Sequence, residues 1–219
     1  MQHISLTQIS LHGLPIRSFV IPKLRGYIGN RFREFDVLHN HQENDNLLRR
    51  YPSVQYKMIK GVPSIVGFRE GAQVLQEMFL DLTSIQINQT VYPVDNIIQT
   101  MNSTLGKTDH FHTYRFVHPW MALNQKNHKL YKSTAKPMRN AFLAKILRGN
   151  LMSLSNGFDY RIPNMDTLEV YVDAKETHRS FKGVKMLCFT GSFSTNFRIP
   201  NHLGLGKQAA RGFGTVEEV

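Results

Sequence analysis

The chain has few of the residues that would place it outside the cell or in a membrane. Its 219 residues include one cysteine, Cys188, which cannot form an internal disulfide and supplies no set of thiolates for a metal. No run of about 18 apolar residues occurs, so no transmembrane helix is predicted. The first residues lack a basic stretch followed by an apolar one, so no secretory signal is predicted. We expect a cytoplasmic protein with Cys188 in its core and no membrane partner.

Acidic residues are also scarce, and their distribution is uneven. The chain has 27 Lys and Arg against 16 Asp and Glu, a formal net charge of +11. Residues 110–158 contain no acidic residue at all. The cations of this stretch are Arg115, Lys126, Lys129, Lys132, Lys136, Arg139, Lys145 and Arg148. A solvated surface normally mixes both signs, whereas a field of one sign attracts polyanions and releases their counterions. Nucleic acid is therefore the favoured partner.

Hydrophobic periodicity in the first half predicts alternating strands and helices. The predicted elements are a strand at 2–11, a helix entered near Pro22 and ending by Phe32, a hairpin at 54–68 turning at 61–63, a helix at 71–82 and a strand at 85–91. This β-α-β-β-α-β order is that of the ferredoxin-like fold, which single-stranded RNA readers of the RRM type also use. We assign residues 1–92 to a first domain of this class.

The second half repeats the order after a polar segment at 92–109, where we place the join between domains. Its predicted elements are a strand at 111–117, a helix at 137–155, strands at 167–173 and 184–190, a glycine-rich loop and a last strand at 213–216. The fold class predicted is therefore α+β, with two tandem ferredoxin-like (βαββαβ) domains at 1–92 and 110–219.

The glycine-rich loop spans residues 204–214 and holds four glycines with Lys207 and Arg211. Glycine tolerates positive φ and close backbone approach, so such a loop can present bare N–H groups to an anion. The alternative is an ordinary glycine-rich turn without a ligand. No dinucleotide fingerprint opens a helix here, and Lys207 is followed by Gln208 rather than Ser or Thr, so neither nucleotide-binding motif fits. A polymer backbone is the expected anion.

A histidine pair, His39 and His41, lies in a polar stretch after a predicted basic helix end. RNA can be cut without a metal when a base activates the 2′-hydroxyl and an acid protonates the 5′-oxygen, and imidazole suits both roles. Tyr51, Tyr56 and Lys57 are near enough in sequence to orient or neutralise the phosphate. A zinc site here would lack a nearby third ligand beyond Glu43 or Asp45. The second pair, His110 and His112, reads instead as the polar face of a half-buried strand.

Five motifs in one order carry a family resemblance. They are His39-Asn-His41, Arg50-Tyr51-Pro52 with Gln55-Tyr56-Lys57, Pro119-Trp120-Met-Ala-Leu-Asn124, Ile146-Leu-Arg-Gly149-Asn150-Leu-Met-Ser153, and Gly204-Leu-Gly206-Lys207 through Arg211-Gly212-Phe213-Gly214. Together they resemble the CRISPR-associated endoribonucleases that process precursor CRISPR RNA. The resemblance implies two ferredoxin-like domains and cleavage without metal or cofactor. The products would be a 5′-hydroxyl and a 2′,3′-cyclic phosphate.

The resemblance also implies roles for individual residues. His39 and His41 are the acid and base candidates, with Tyr51 in support, and Arg31 and Lys57 are candidates for the phosphate. The RNA-binding candidates of the glycine-rich loop are Gly204, Gly206, Lys207, Gln208, Arg211, Gly212, Phe213 and Gly214. One departure is Asn156-Gly157, where a basic residue is expected before the glycine.

Two other functions stay open on the sequence. One is a non-catalytic CRISPR RNA-binding subunit of an effector complex, and the other is a metal-dependent nuclease. The sequence has no carboxylate cluster of the kind a metal site needs near either histidine pair, which disfavours the second. The resemblance leaves open whether the protein forms a homodimer and whether it stays on its product in an effector complex.

Overall fold

A computed structural model describes residues 1–39 and 51–219, without the side chain of His39. Its internal contacts divide the chain into two units. The first unit comprises His3–Ser103 with Ala210–Gly212, and the second comprises Met1–Gln2, Thr104–Ala209 and Phe213–Val219. Within the described residues, none of the helices has the length and apolarity needed to cross a membrane.

The first unit has the ferredoxin-like strand order. Its elements are β1 (Gln2–His12), α1 (Ile21–Arg31), α2 (Asp36–His39), β2 (Val54–Ile59), β3 (Val62–Phe68), α3 (Glu70–Met78), β4 (Ser84–Ile87), β5 (Thr90–Pro93) and the start of β6 (Asp95–Phe116). The sheet order is β2-β3-β1-β6, and β3 pairs antiparallel with both β1 and β2. The strands β4 and β5 form a separate hairpin. The fold class predicted for this half is confirmed.

The core of the first unit lies between the sheet and its helices. Leu24 and Ile28 of α1 and Leu75 of α3 are all fully buried, and they belong to one apolar cluster with Tyr56 of β2. Leu38 of α2 joins the same cluster. Burying each such aliphatic side chain contributes about 1.5–3 kcal/mol, so these residues fix α1, α2 and α3 on the sheet.

Local rules explain where several elements begin and turn. Pro22 lies in the first turn of α1, as predicted, where a missing N–H costs nothing. The β2–β3 turn is the pair Lys60-Gly61, with φ of 47° and 82°, a two-residue hairpin turn of the primed kind. The turn predicted at 61–63 was therefore wrong by one residue, because Val62 and Pro63 already belong to β3.

Three predicted elements of the first half differ from the structure. The α3 helix ends at Met78, short of the predicted 82. The strand predicted at 85–91 is two short strands, with a turn at Asn88 in the left-handed region at φ 57°. The polar segment 92–109 is mostly strand, because β6 begins at Asp95. Its first residues alternate only between exposed and half-buried, so they lack the apolar period that marks a strand in sequence.

The second unit repeats the strand order of the first. It contains the end of β6, α4 (Gln125–Ser133), α5 (Arg139–Gly157), β7 (Val170–Phe181), β8 (Val184–Arg198) and β9 (Val216–Glu218). The order is β9-β6-β8-β7, with α5 packed on β7. Residues 199–215 stand where a second helix would join the last two strands, and they contain only a 3-10 turn at Ala209–Arg211. Both units are ferredoxin-like, in tandem along the chain.

Several boundaries of the second half also differ from prediction. The strands β7 and β8 are longer than 167–173 and 184–190, and the last strand begins at Val216 rather than 213. The helix α4 was not predicted, because its one fully buried side chain is Tyr131. Cys188 is fully buried in β8, as expected.

Candidate functional site

The glycine-rich loop is held by the protein's own hydrogen bonds. Its ends pair as a short antiparallel ladder, with a bridge between Gly204 and Thr215. Four amides of the loop donate to backbone carbonyls: Leu205 to Gly214 (2.9 Å), Lys207 to Met121 (3.0 Å), Phe213 to Gln208 (3.3 Å) and Gly214 to Pro119 (3.0 Å). The expectation of bare N–H groups is therefore wrong at these four positions, because the fold uses them.

Close packing explains two of the glycines directly. Gly214 has a φ of 63°, and a Cβ there would lie 2.0 Å from the carbonyl oxygen of Leu205. Gly212 has a φ of 85°, and a Cβ would lie 3.1 Å from the carbonyl oxygen of Tyr56. Real Cβ atoms do not approach backbone oxygen at 2.0 Å, so Gly214 is required for the loop to close. The glycines therefore determine the shape of the loop, and the side chains of Lys207 and Arg211 carry its charge.

Three side chains of the loop have different surroundings. Lys207 is exposed, and Arg211 is half-buried. Burial lowers the pKa of Arg211. The ring of Phe213 packs edge-on against Phe181 of β7, with centroids 5.8 Å apart. Lys207 and Phe213 belong to the second unit, whereas Arg211 and Gly212 pack with the first. The predicted RNA-binding residues are therefore divided between the two units.

Two other motifs of the sequence hold this loop in place. Trp120 is fully buried, stacks on Phe116 with centroids 5.1 Å apart, and donates its Nε1–H to Oδ1 of Asn150 at 3.0 Å. A Cβ at Gly206 would lie 2.6 Å from the same Nε1, so the loop lies directly against the indole. The Pro119–Asn124 and Ile146–Ser153 motifs are thereby connected to the glycine-rich loop within the second unit.

Lys57 was expected to face a phosphate, but it is internal. Its side chain is fully buried, and its Nζ donates to Oε1 of Gln55 at 2.7 Å. Burial lowers the pKa of this amine to about 7. The strand β2 is buried on both faces, so the alternation rule that would have exposed Lys57 does not apply. Lys57 is therefore an internal residue of the sheet, with its amine bonded to Gln55.

Arg31 is also hydrogen-bonded to other residues of the first unit. It is exposed at the end of α1, where its guanidinium donates to the Tyr27 hydroxyl (3.0 Å) and the Ser84 carbonyl (3.2 Å), and also to the Asp81 carbonyl. These bonds connect α1 to the segment that links α3 to β4. A role at the phosphate stays a prediction for Arg31.

The catalytic candidates lie beside or within a stretch that the structure does not describe. His39 is the last residue of α2, which packs against α1 through the buried Leu38, and His41 lies outside the described residues. Tyr51 is 7% exposed, and its ring packs at 5.7 Å from that of Phe68. Within residues 1–39 and 51–219, no three His, Cys, Asp or Glu side chains group as metal ligands.

The positive charge of residues 110–158 is partly neutralised by an acidic residue from outside that stretch. Glu176 of β7 lies 2.7 Å from the Arg139 guanidinium and 3.6 Å from Nζ of Lys132, and it accepts from the Tyr131 hydroxyl at 3.0 Å. Lys126 and Lys129 of α4 and Lys145 of α5 remain exposed. The acidic partner is 37 residues from Arg139, which is why the sequence did not indicate it.

One charged residue near the loop was missed from the sequence. Arg25 lies in the middle of α1 and is half-buried. Burial lowers its pKa, and the positive charge of Arg211 lowers it further. Nothing in the residues around Arg25 distinguishes it from other cations on helices, so only the packing of Ala210–Gly212 with the first unit reveals it.

Comparison with known proteins accounts for nearly the whole chain. Residues 2–104 match the model of the Cas6b N-terminal domain, and residues 106–219 match that of the Cas6b C-terminal domain. The chain belongs to the Cas6b family. This confirms the resemblance that the five motifs carried.

Individual relatives of this Cas6b family member agree with that assignment. A crystal structure of Cas6b matches with a TM-score of 0.93 at 32% identity, and a crystal structure of the CRISPR RNA processing endoribonuclease Cas6b matches at 0.80 and 31%. In both pairs 100% of each chain is covered. The uncharacterized protein MJ0978 of Methanocaldococcus jannaschii is 33% identical over 144 residues, which are 65% of this chain and 97% of that protein.

Proposed function

We propose that the protein is a metal-independent endoribonuclease that binds CRISPR repeat RNA and cleaves precursor CRISPR RNA. The observation that carries the proposal is the full-length similarity, at 31% identity, to a Cas6b described as a CRISPR RNA processing endoribonuclease. The net charge of +11 supports a polyanionic substrate. Exposed cations on α4 and α5 add to that support.

The proposed reaction needs only imidazole chemistry. His39 or His41 takes the proton of the 2′-hydroxyl, and the 2′-oxygen attacks the adjacent phosphorus in line. The bond to the 5′-oxygen breaks, and the other histidine gives that oxygen a proton. One strand then ends in a 2′,3′-cyclic phosphate, and the next begins with a 5′-hydroxyl. Tyr51, three residues before β2, orients the histidines or the phosphate.

Lys207 and Arg211 of the glycine-rich loop are better placed to contact RNA than Lys57 and Arg31. Lys57 is fully buried, and Arg31 is hydrogen-bonded within its own unit. Lys207 is exposed on the glycine-rich loop, and Arg211 is half-buried. We therefore assign backbone binding to Lys207 and Arg211, and an internal structural role to Lys57.

Cleavage of a labelled repeat RNA in the presence of EDTA tests this proposal. We expect the wild type to cut, His39→Ala and His41→Ala to lose most of the rate while still binding RNA, and a 2′-deoxy sugar at the scissile position to block the reaction. His178→Ala, an exposed histidine on β7, is the matched control and should cut normally. Cleavage that stops in EDTA would indicate a metal-dependent nuclease. Binding without cleavage by the wild type would indicate an RNA-binding subunit.

A further inference from the structure

Two aromatic rings are exposed side by side on the sheet of the second unit. Phe111 of β6 is 50% exposed and Tyr171 of β7 is 61% exposed. Their ring centroids are 5.7 Å apart, and the ring planes are tilted by 47°. Single exposed apolar residues are common on protein surfaces, whereas neighbouring rings form a patch that a ligand can cover.

Strand alternation places both rings on the face of the sheet opposite the core. In β6 the side chain of Tyr114 is fully buried, whereas that of Thr113 is exposed. Ser194 of β8 pairs with both Thr113 and Tyr171, so these three residues lie in one row across three strands. The hydroxyls of Thr113 and Ser194 are 2.8 Å apart. Because its neighbours in the row are small, the ring of Tyr171 stands above the surface of the sheet, where it contacts Phe111.

The charges around the two rings are of both signs. The Tyr171 hydroxyl donates to Oε2 of Glu169 at 2.8 Å, which holds the direction of the ring. Arg115 is exposed two residues after Thr113 and is paired with Glu217 at 2.9 Å, and Asp173 is exposed two residues after Tyr171. Such a surface does not suit a run of phosphates. Its carboxylates can instead accept hydrogen bonds from the amino groups of bases, as Asp and Glu do from cytosine.

The size of the apolar patch favours a small flat ligand over a folded protein. A fully covered aromatic side chain buries about 200 Å², so two half-exposed rings offer about 200 Å² together. A stable protein–protein interface buries about 800 Å² on each partner. The side chains around the rings are hydroxyls and charges, which do not extend the apolar area. One or two nucleobases match this patch in size and in shape.

We propose that Phe111 and Tyr171 form a stacking platform for unpaired bases of the repeat RNA. The inference rests on the proposed function, since RNA is taken as the ligand, and it adds a contact to the bases that the loop cations do not make. Aromatic side chains stack on single-stranded bases, and RRM-type modules use the sheet of the same fold class for this purpose. Bases within a duplex are already stacked on each other, so the platform selects a single-stranded segment.

Binding of a non-cleavable repeat RNA (2′-deoxy at the scissile position) at several salt concentrations tests the platform. Phe111→Ala and Tyr171→Ala should each bind about tenfold more weakly, because one stacked base is lost. The slope of log K against log salt should stay that of the wild type, because no phosphate contact is removed. Tyr171→Phe keeps the ring and should bind as the wild type does. Val91→Ala, on β5 of the first unit, removes another exposed apolar strand side chain and should have no effect.

Three results of this measurement would overturn the platform. The first is wild-type affinity in both alanine variants. The second is an equal loss in Tyr171→Phe, which would assign the contact to the hydroxyl rather than the ring. The third is a loss that comes with a smaller salt slope, which would mean that phosphates are held there. Because both rings are exposed, the variants should keep the wild-type melting temperature, and Tyr171→Phe retains the test if an alanine variant does not.

Removal of single bases from the RNA tests the contact from the other side. Abasic nucleotides are placed one at a time along the unpaired segments of the repeat, with the phosphates unchanged. At the stacked position the wild type should lose about tenfold in affinity, whereas Phe111→Ala or Tyr171→Ala should lose little more than it already has. If the losses from the abasic nucleotide and from the alanine variant multiplied at every position, the rings and the bases would not be in contact, and the platform would be refuted.

Two parallel measurements separate the platform from the proposed function and from a protein interface. Cleavage of the unmodified repeat is followed in every variant. A wild type that neither binds nor cuts the repeat would refute the proposed function and the platform together, whereas normal binding and cleavage in both alanine variants would refute the platform alone. Light scattering after size exclusion gives the oligomeric state. Unchanged RNA affinity with an altered oligomeric state in Phe111→Ala would overturn the platform in favour of a contact between protein chains.

Discussion

The indole nitrogen of Trp120 donates a hydrogen bond to Oδ1 of Asn150 at 3.0 Å. Trp120 is fully buried beside β8, where its backbone pairs with Phe189, and Asn150 lies on α5. The bond therefore connects a helix to the residue on which the glycine-rich loop rests at Gly206. The Pro119–Asn124 and Ile146–Ser153 motifs, whose bonded residues are 30 positions apart, therefore both support the glycine-rich loop.

Asn150→Ala should destabilise the second unit. The substitution leaves a buried N–H of Trp120 without its acceptor, which costs about 1–3 kcal/mol of unfolding free energy. Denaturant unfolding followed by tryptophan fluorescence measures the loss, because the chain has one tryptophan. Asn150→Asp keeps an acceptor oxygen and should lose less. Asn156→Ala, an exposed position on the same helix, should change stability little, and an equal loss there would contradict the argument.

Gly214→Ala should disrupt the closure of the glycine-rich loop. At φ 63° the new methyl would stand 2.0 Å from the Leu205 carbonyl, so the backbone must move. We expect a loss of about 3 kcal/mol or more in stability and weaker RNA binding, as for other severe steric conflicts. Gly149→Ala is the matched control: it is an exposed helical position with open space around it, so it should gain about 0.5–1 kcal/mol. Similar losses at both positions would show that generic glycine replacement, not the Leu205 contact, is responsible.

Local sequence rules were sufficient for the scaffold of each unit. The strand order followed from the succession of elements, and Pro22 marked the start of α1 because its ring suits a first turn. The same rules failed where burial is not periodic. Half-exposed β6 gave no strand signal at 95–104, and α4 gave no helix signal with Tyr131 as its one fully buried residue.

The candidate site was predictable only in part, because its contacts join distant residues. The motifs identified Lys207 and Arg211, but local patterning could not show that Lys57 is internal, since β2 is covered on both faces. Glu176 and Arg25 carried no local signal either: Glu176 neutralises cations far along the chain, and the pKa of Arg25 is lowered in part by the charge of Arg211, 186 positions away. Such pairings depend on tertiary packing, which a one-dimensional pattern does not record.

Glu217→Gln should reduce stability at neutral pH and matter less in acid. Glu217 accepts from Arg115 at 2.9 Å and lies 3.2 Å from Nε2 of His202. The Arg115 hydrogen bond, with His202 nearby, holds the pKa of Glu217 below its usual value of 4.5. A lowered carboxyl pKa contributes stability that is present above about pH 4.5 and is lost as the pH falls through the folded value. The difference in unfolding free energy between wild type and variant should therefore shrink below pH 4.5. A difference that stays constant down to pH 3 would contradict the assignment.

Lys57→Met should show a pH dependence of the same sign in a higher pH range, because burial lowers the pKa of the Lys57 amine. Its folded pKa is about 7 against 10.5 in the unfolded chain, so between these values the unfolded state binds the extra proton. Wild-type stability should consequently rise relative to Lys57→Met as the pH is raised from 7 to 9.5. Urea unfolding of both proteins across that range measures the difference. Lys60→Met, at the exposed β2–β3 turn, is the control and should give a flat difference. If the Lys57→Met difference were equally flat, the amine would have to be charged in the folded protein at every pH tested, and an accessible role at the phosphate would again be open to it.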